Sequence, residues 1–142
     1  MKFVVATYGT EGDVRPLAAL CRALIDAGHE ATLLADRATL GIAQALGVPA
    51  KPLSGDIKGT LDPSAAISNV VGKDHGLNST AKALAGIANA NAETWLREIV
   101  DAAQGSDALI VSALAAFVGL SAAEYLGIKA VGTGFIPLSP TA

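Results

Sequence analysis

Cysteine is nearly missing from this chain: Cys21 stands alone among 142 residues. An internal disulfide is therefore ruled out, and the place of Cys21 inside an amphipathic helical pattern makes it a small apolar side chain that suits a reducing compartment. Basic clusters are missing as well. With a formal charge of -3 and an isoelectric point near 5.2, the chain lacks the basic stripe of a nucleic-acid footprint, which argues against DNA and RNA partners. No apolar run approaches the roughly eighteen residues that span a bilayer, and no basic region followed by a signal-type stretch opens the chain. A cytoplasmic location is expected, with room for a membrane-associated substrate and so for a peripheral membrane contact. No Gly-Lys-Ser/Thr follows the opening glycines, which removes P-loop chemistry. No metal cluster is visible, and neither a metal nor a cofactor is expected. The mean hydropathy of +0.46 comes largely from alanine, although a missing partner domain would also raise it.

What remains is ample for one domain, since 51% of the residues are hydrophobic. Residues 3–6 form a β-branched and apolar run, Gly9 and Gly12 bracket a tight loop, and from Pro16 the apolar positions take helical spacing through Leu17, Leu20, Cys21, Leu24 and Ile25. Gly28 suits the left-handed position that ends a helix. Residues 31–35 read as a second strand closed by Asp36, residues 39–46 as a short helix, and residues 48–53 as a proline-interrupted edge strand. Regular patterning then fails over residues 54–78, apart from a short helix expected at 65–71. A long helix follows, capped by Ser79 or Thr80, with Trp95 on its apolar face as a core residue. Residues 108–111 read as a central strand, Phe117, Leu120, Ala123 and Leu126 as a helix, and residues 129–132 as a fifth strand. This alternation predicts an α/β fold, a doubly wound parallel sheet of three layers in the order 3-2-1-4-5. The tail from Phe135, with Pro137 and Pro140, reads as an exit into a linker.

In such a sheet ligands bind beyond the carboxyl ends of the strands, where strand order reverses. Residues 8–13, 112–115 and 133–137 would line that crevice. Asp13 is the ionisable group set between the glycine loop and the helix, and it reads either as a helix cap or as an acid-base group. Gly9 and Gly12 after a strand, with Asp36 at the end of the next, fall where a dinucleotide site would need them. The spacing is G-x-x-G, and Arg15-Pro16 stands where a small residue is needed, so an NAD(P)-binding domain is the weaker reading. His29 is expected to be structural, Glu11 a solvated acid, and Asp36 a strand-end or capping residue.

The segments A-T-Y-G-T-E-G-D-V-R-P-L-A-A-L, A-G-H-E-A-T-L-L-A, L-G-V-P, G-S-D-A-L-I-V-S-A-L and A-E-Y-L-G-I together resemble the Rossmann-like amino-terminal, acceptor-binding domain of GT-B glycosyltransferases. The group most similar is that of the sterol, macrolide and glycopeptide-antibiotic glucosyltransferases, whose opening is G-S-R-G-D-V-x-P; here Glu11 replaces the arginine. The resemblance implies inverting transfer of a sugar from a nucleotide-sugar co-substrate, a UDP-sugar, to an acceptor hydroxyl of a sterol, lipid or natural product. It places the proposed base at Asp13. It also implies a carboxyl-terminal donor-binding domain, which residues 1–142 do not contain, so the isolated chain is expected to be inactive. Gly9, Thr10, Gly12, Ser112, Phe135 and His75 are the expected substrate contacts. A noncatalytic small-ligand or partner-binding module is the alternative, with Asp13 merely a cap.

Overall fold

The side chains of the central strand point alternately to two helical layers, and that alternation builds the molecule. The computed structural model describes residues 1–56 and 76–134. Its strands are β1 (Lys2–Tyr8), β2 (Glu30–Asp36), β3 (Ala50–Leu53), β4 (Ala108–Ala113) and β5 (Lys129–Thr133). All pair in parallel, in the order β3-β2-β1-β4-β5. Val5 of β1 packs against Val14, Leu17, Ala18 and Cys21 of α1 (Glu11–Asp26) and Ala43 of α2 (Leu40–Ala45). Val4, Ala6 and Tyr8 face the other way, onto Trp95 and Ile99 of α3 (Gly76–Ala103) and Ala122 and Ala123 of α4 (Ala116–Leu126). The expected three-layer α/β sheet is therefore present in the expected order. β4 is apolar and buried from Ala108 to Val111, as a strand covered on both faces must be.

Several boundaries differ from those read in the sequence. α1 begins at Glu11, ahead of the Pro16 start, so Gly12 lies in its first turn and Pro16 inside it. Pro16 is tolerated because its missing N–H would have served the carbonyl of Gly12, an exposed residue at the helix entrance. α3 starts at Gly76, before either expected cap. On α4 the residues that pack are Gly119, Ala122 and Ala123, while Phe117 is 82% and Leu120 46% exposed. The cause is close approach: a Cβ on Gly119 would stand 2.4 Å from Cγ1 of Val111, so only the smallest side chains fit beneath the helix. Gly28, at φ +84, does end α1 as expected. The helix expected at 65–71 and the tail from Phe135 lie outside the described residues. Among the described residues no helix is long and apolar enough to cross a membrane.

Burial pushes the Cys21 thiol up from 9.0 to about 12, and the thiol is fully shielded. The folded chain thus keeps a proton that the unfolded chain releases, so this contribution to stability is complete below pH 9 and is lost as pH rises toward 12. Burial raises the Tyr8 phenol too, helped by Asp36 and Asp56, which adds to the loss above pH 10. Between pH 8 and 10 the wild-type unfolding free energy is expected to drop by about 1.4 kcal/mol more than that of Cys21→Ala, as one proton's linkage requires. Urea midpoints at the two pH values test this; parallel drops would remove Cys21 as the cause.

Candidate active site at the carboxyl end of the sheet

β1 ends at Tyr8, and two residues later the chain turns into α1. The turn is closed by residues spaced as a capping box, Thr10-x-x-Asp13. The Thr10 carbonyl accepts the N–H groups of Asp13 and Val14 at 3.0 and 3.2 Å. In return, Oδ2 of Asp13 accepts the Thr10 N–H at 2.8 Å and the Thr10 hydroxyl at 3.2 Å. The carboxylate lies directly over Gly9, where a Cβ would come within 2.3 Å of Oδ2 and 2.7 Å of Cγ. Gly9 is thus required by close approach, whereas Gly12 has only the Thr10 hydroxyl near it, at 3.7 Å. Asp13 is half-buried, and among the described residues its Oδ1 accepts no hydrogen bond. One side chain thus caps α1 with Oδ2 and keeps Oδ1 without a donor among the described residues.

Beside it, β4 ends with Ser112 and Ala113 in register with Thr7 and Tyr8. Ser112 is buried, while Ala113 is exposed and takes φ +52, a left-handed conformation that costs a residue with a Cβ roughly 1–2 kcal/mol. The N–H of Leu114 then donates to the Tyr8 carbonyl at 3.2 Å, which ties the ends of the two central strands together. The Thr133 hydroxyl donates to the Val111 carbonyl at 3.3 Å. The structure therefore gathers Gly9, Thr10, Gly12 and Asp13 at one turn and sets Ser112 on the neighbouring strand. His75 and Phe135 lie outside the described residues.

Glu11, expected as a solvated loop acid, is an exposed helical acid paired with Arg15 at 2.8 Å. Asp36 is buried at the end of β2 and accepts the Ala38 N–H at 2.8 Å, capping the short turn Arg37–Thr39. That use agrees with the capping reading of Asp36. His29 stands edge-on to Phe3 with ring centres 5.6 Å apart, a structural contact as expected.

A second group of residues at this end was not anticipated. Tyr8 stacks on Trp95 with ring centres 4.4 Å apart, and the Trp95 indole N–H donates to the Ser54 carbonyl at 2.6 Å. Glu98 accepts the Ser54 N–H at 2.9 Å and also the Ser54 hydroxyl. A pocket of about 230 Å³ lies here, lined by Arg37, Pro52, Leu53, Ser54, Gly55 and Glu98. Asp13 does not line it. The only sequence signal for this cluster was Trp95 itself, since its partner Ser54 lies 41 residues away.

No family model matches the chain. It is 32% identical over 132 residues to a sterol 3-beta-glucosyltransferase of Neurospora crassa, a match covering 90% of this chain and 8% of that protein. It is 30% identical over 139 residues to an uncharacterized glycosyltransferase of Mycobacterium bovis, covering 97% of this chain and 33% of the relative. The chain thus spans a third or less of these relatives. Among solved structures, the calicheamicin glycosyltransferase CalG4 superposes with a TM-score of 0.66 at 16% identity, over 93% of this chain and 32% of that one. The Streptomyces glycosyltransferase SsfS6 gives 0.65 at 21% identity, over 93% and 38%. In sequence over nearly its whole length, and in fold, the chain resembles the amino-terminal domain of GT-B glycosyltransferases of the sterol and natural-product group.

Proposed function

We propose that this chain is the acceptor-binding half of an inverting glycosyltransferase, transferring a sugar from a nucleotide sugar, a UDP-sugar, to a hydroxyl of a sterol, lipid or natural product. The observation that carries this reading is Asp13, held by one oxygen at the carboxyl end of the central strand while, among the described residues, nothing donates to the other. In the reaction the acceptor hydroxyl oxygen attacks the anomeric carbon and Oδ1 of Asp13 takes the hydroxyl proton. The bond from the anomeric carbon to the diphosphate breaks on the opposite face, and the nucleoside diphosphate leaves with that electron pair. A carboxylate is a weak base toward an alcohol, so proton transfer accompanies bond formation rather than preceding it. The donor is held by a separate carboxyl-terminal domain, in keeping with the small share of each relative that this chain spans.

The test joins this chain to the carboxyl-terminal portion of the Neurospora crassa relative and measures UDP release from UDP-glucose with cholesterol as acceptor. Transfer is expected from the fusion and none from the chain alone. A folded fusion that binds UDP-glucose yet releases no UDP, with cholesterol or with water, would leave Asp13 a helix cap and favour the noncatalytic module.

A further inference from the structure

The two oxygens of Asp13 are not equivalent, and the difference is made by one neighbour. Oδ2 is held by two donors, the N–H at 2.8 Å and the hydroxyl at 3.2 Å, both from Thr10. A single hydrogen bond lets a carboxylate swing about its axis; two donors of one residue, a backbone N–H and a side-chain hydroxyl, converging on one oxygen restrict that freedom. The third constraint is Gly9, whose backbone lies so close beneath the carboxylate that a Cβ there would meet Oδ2, Cγ and Cβ at 2.3, 2.7 and 2.9 Å. Thr10 is itself fixed: its backbone is extended, with φ -76 and ψ 178, and its β-branched side chain has few rotamers. Any residue at position 10 except proline would supply the N–H. The hydroxyl is what threonine adds.

Resting on the reading of Asp13 as the base, we propose that Thr10 is a positioning residue: its hydroxyl and N–H clamp Oδ2 over Gly9 and thereby aim Oδ1, the oxygen that takes the proton, at the acceptor. The clamp acts on geometry. General-base transfer needs the accepting oxygen within hydrogen-bond reach of the hydroxyl as bond formation begins, and a displacement of about 1 Å can cost on the order of a hundredfold in rate. A misdirected base lowers kcat, whereas a lost acceptor contact raises KM.

The experiment uses the same fusion, UDP-glucose and cholesterol, with Thr10→Val, Thr10→Ser and Asp13→Asn. Thr10→Val keeps the shape and the N–H and loses the hydroxyl. It is expected to lower kcat about ten- to a hundredfold with the cholesterol KM within about twofold, and Thr10→Ser, which restores the hydroxyl, is expected to recover most of the rate. Circular dichroism and Trp95 fluorescence confirm that each variant is folded. Wild-type kcat in Thr10→Val alongside a dead Asp13→Asn overturns the clamp and leaves the base in place. A rise in KM with kcat unchanged, or a loss that serine does not recover, also overturns it, since a cap or an acceptor contact would behave so. Normal turnover in Asp13→Asn removes the base reading and the clamp with it.

Discussion

Asp13→Asn, in the fusion that supplies a donor-binding half, is expected to reduce turnover by about a hundred- to ten-thousandfold, the share that a positioned general base contributes. The substitution separates chemistry from folding. An asparagine has nearly the same shape, and its carbonyl oxygen can accept the Thr10 N–H that now sits 2.8 Å from Oδ2. Loss of the negative charge from the first turn of α1 weakens its interaction with the helix dipole by only about 0.3–1 kcal/mol. The helix therefore stays in place, and the amide simply cannot receive a proton. Measured kcat and acceptor KM decide the matter: a fall in kcat at constant KM supports the base, a rise in KM alone would make Asp13 an acceptor-binding group, and unchanged turnover would take it out of the mechanism.

The second large effect concerns stability. Trp95→Ala is expected to cost about 3–5 kcal/mol, the range for deleting a buried large aromatic side chain. Trp95 is fully buried in the layer between the sheet and α3, so its removal leaves a cavity. Tyr8 loses the ring it stacks on, and the Ser54 carbonyl loses its donor. For a domain whose total stability is about 5–15 kcal/mol, this is a drop in Tm of roughly 10–20 °C, read by circular dichroism because the variant has no other tryptophan. Trp95→Phe, which keeps a ring but not the N–H, should fall between the two. A Tm within about 2 °C of wild type in Trp95→Ala would show that the cavity closes and that Trp95 does not anchor the segment after β3.

The strand order was legible because β1, β2 and β4 are apolar runs, and β1 and β4 are each followed by a helix of period 3.6, so the parallel pairing at the centre of the sheet follows from the alternation. The entrance of α1 was misplaced because Pro16 carries a strong helix-start signal, whereas the true signal, Thr10 spaced three residues before Asp13, was equally present. Phe117 and Leu120 fit a helical stripe in hydrophobicity, but the surface of β4 selects by size, and Gly119 with Ala122 and Ala123 meets it instead. In the candidate site, Asp13 and Gly9 could be named from the turn, while the second bond of the clamp, from the Thr10 hydroxyl, depends on a side-chain angle that no spacing specifies. The tie of Ser54 to Glu98 spans 44 residues and carries no local pattern at all.

The register of the central pair has a consequence for how the chain is made. Phe3 of β1 lies opposite Ala31, which follows it closely, but also opposite Ala108. At about 5–20 residues per second on the ribosome, the first strand waits several seconds or more for its second neighbour, with Val4, Ala6 and Tyr8 lacking the β4 side of their core. The turn that holds Asp13 forms early, from neighbours in sequence. The strand beside it, β4, is made about seventy residues after β2, so a nascent chain holds the Asp13 turn for some time before Ser112 and Ala113 stand next to it.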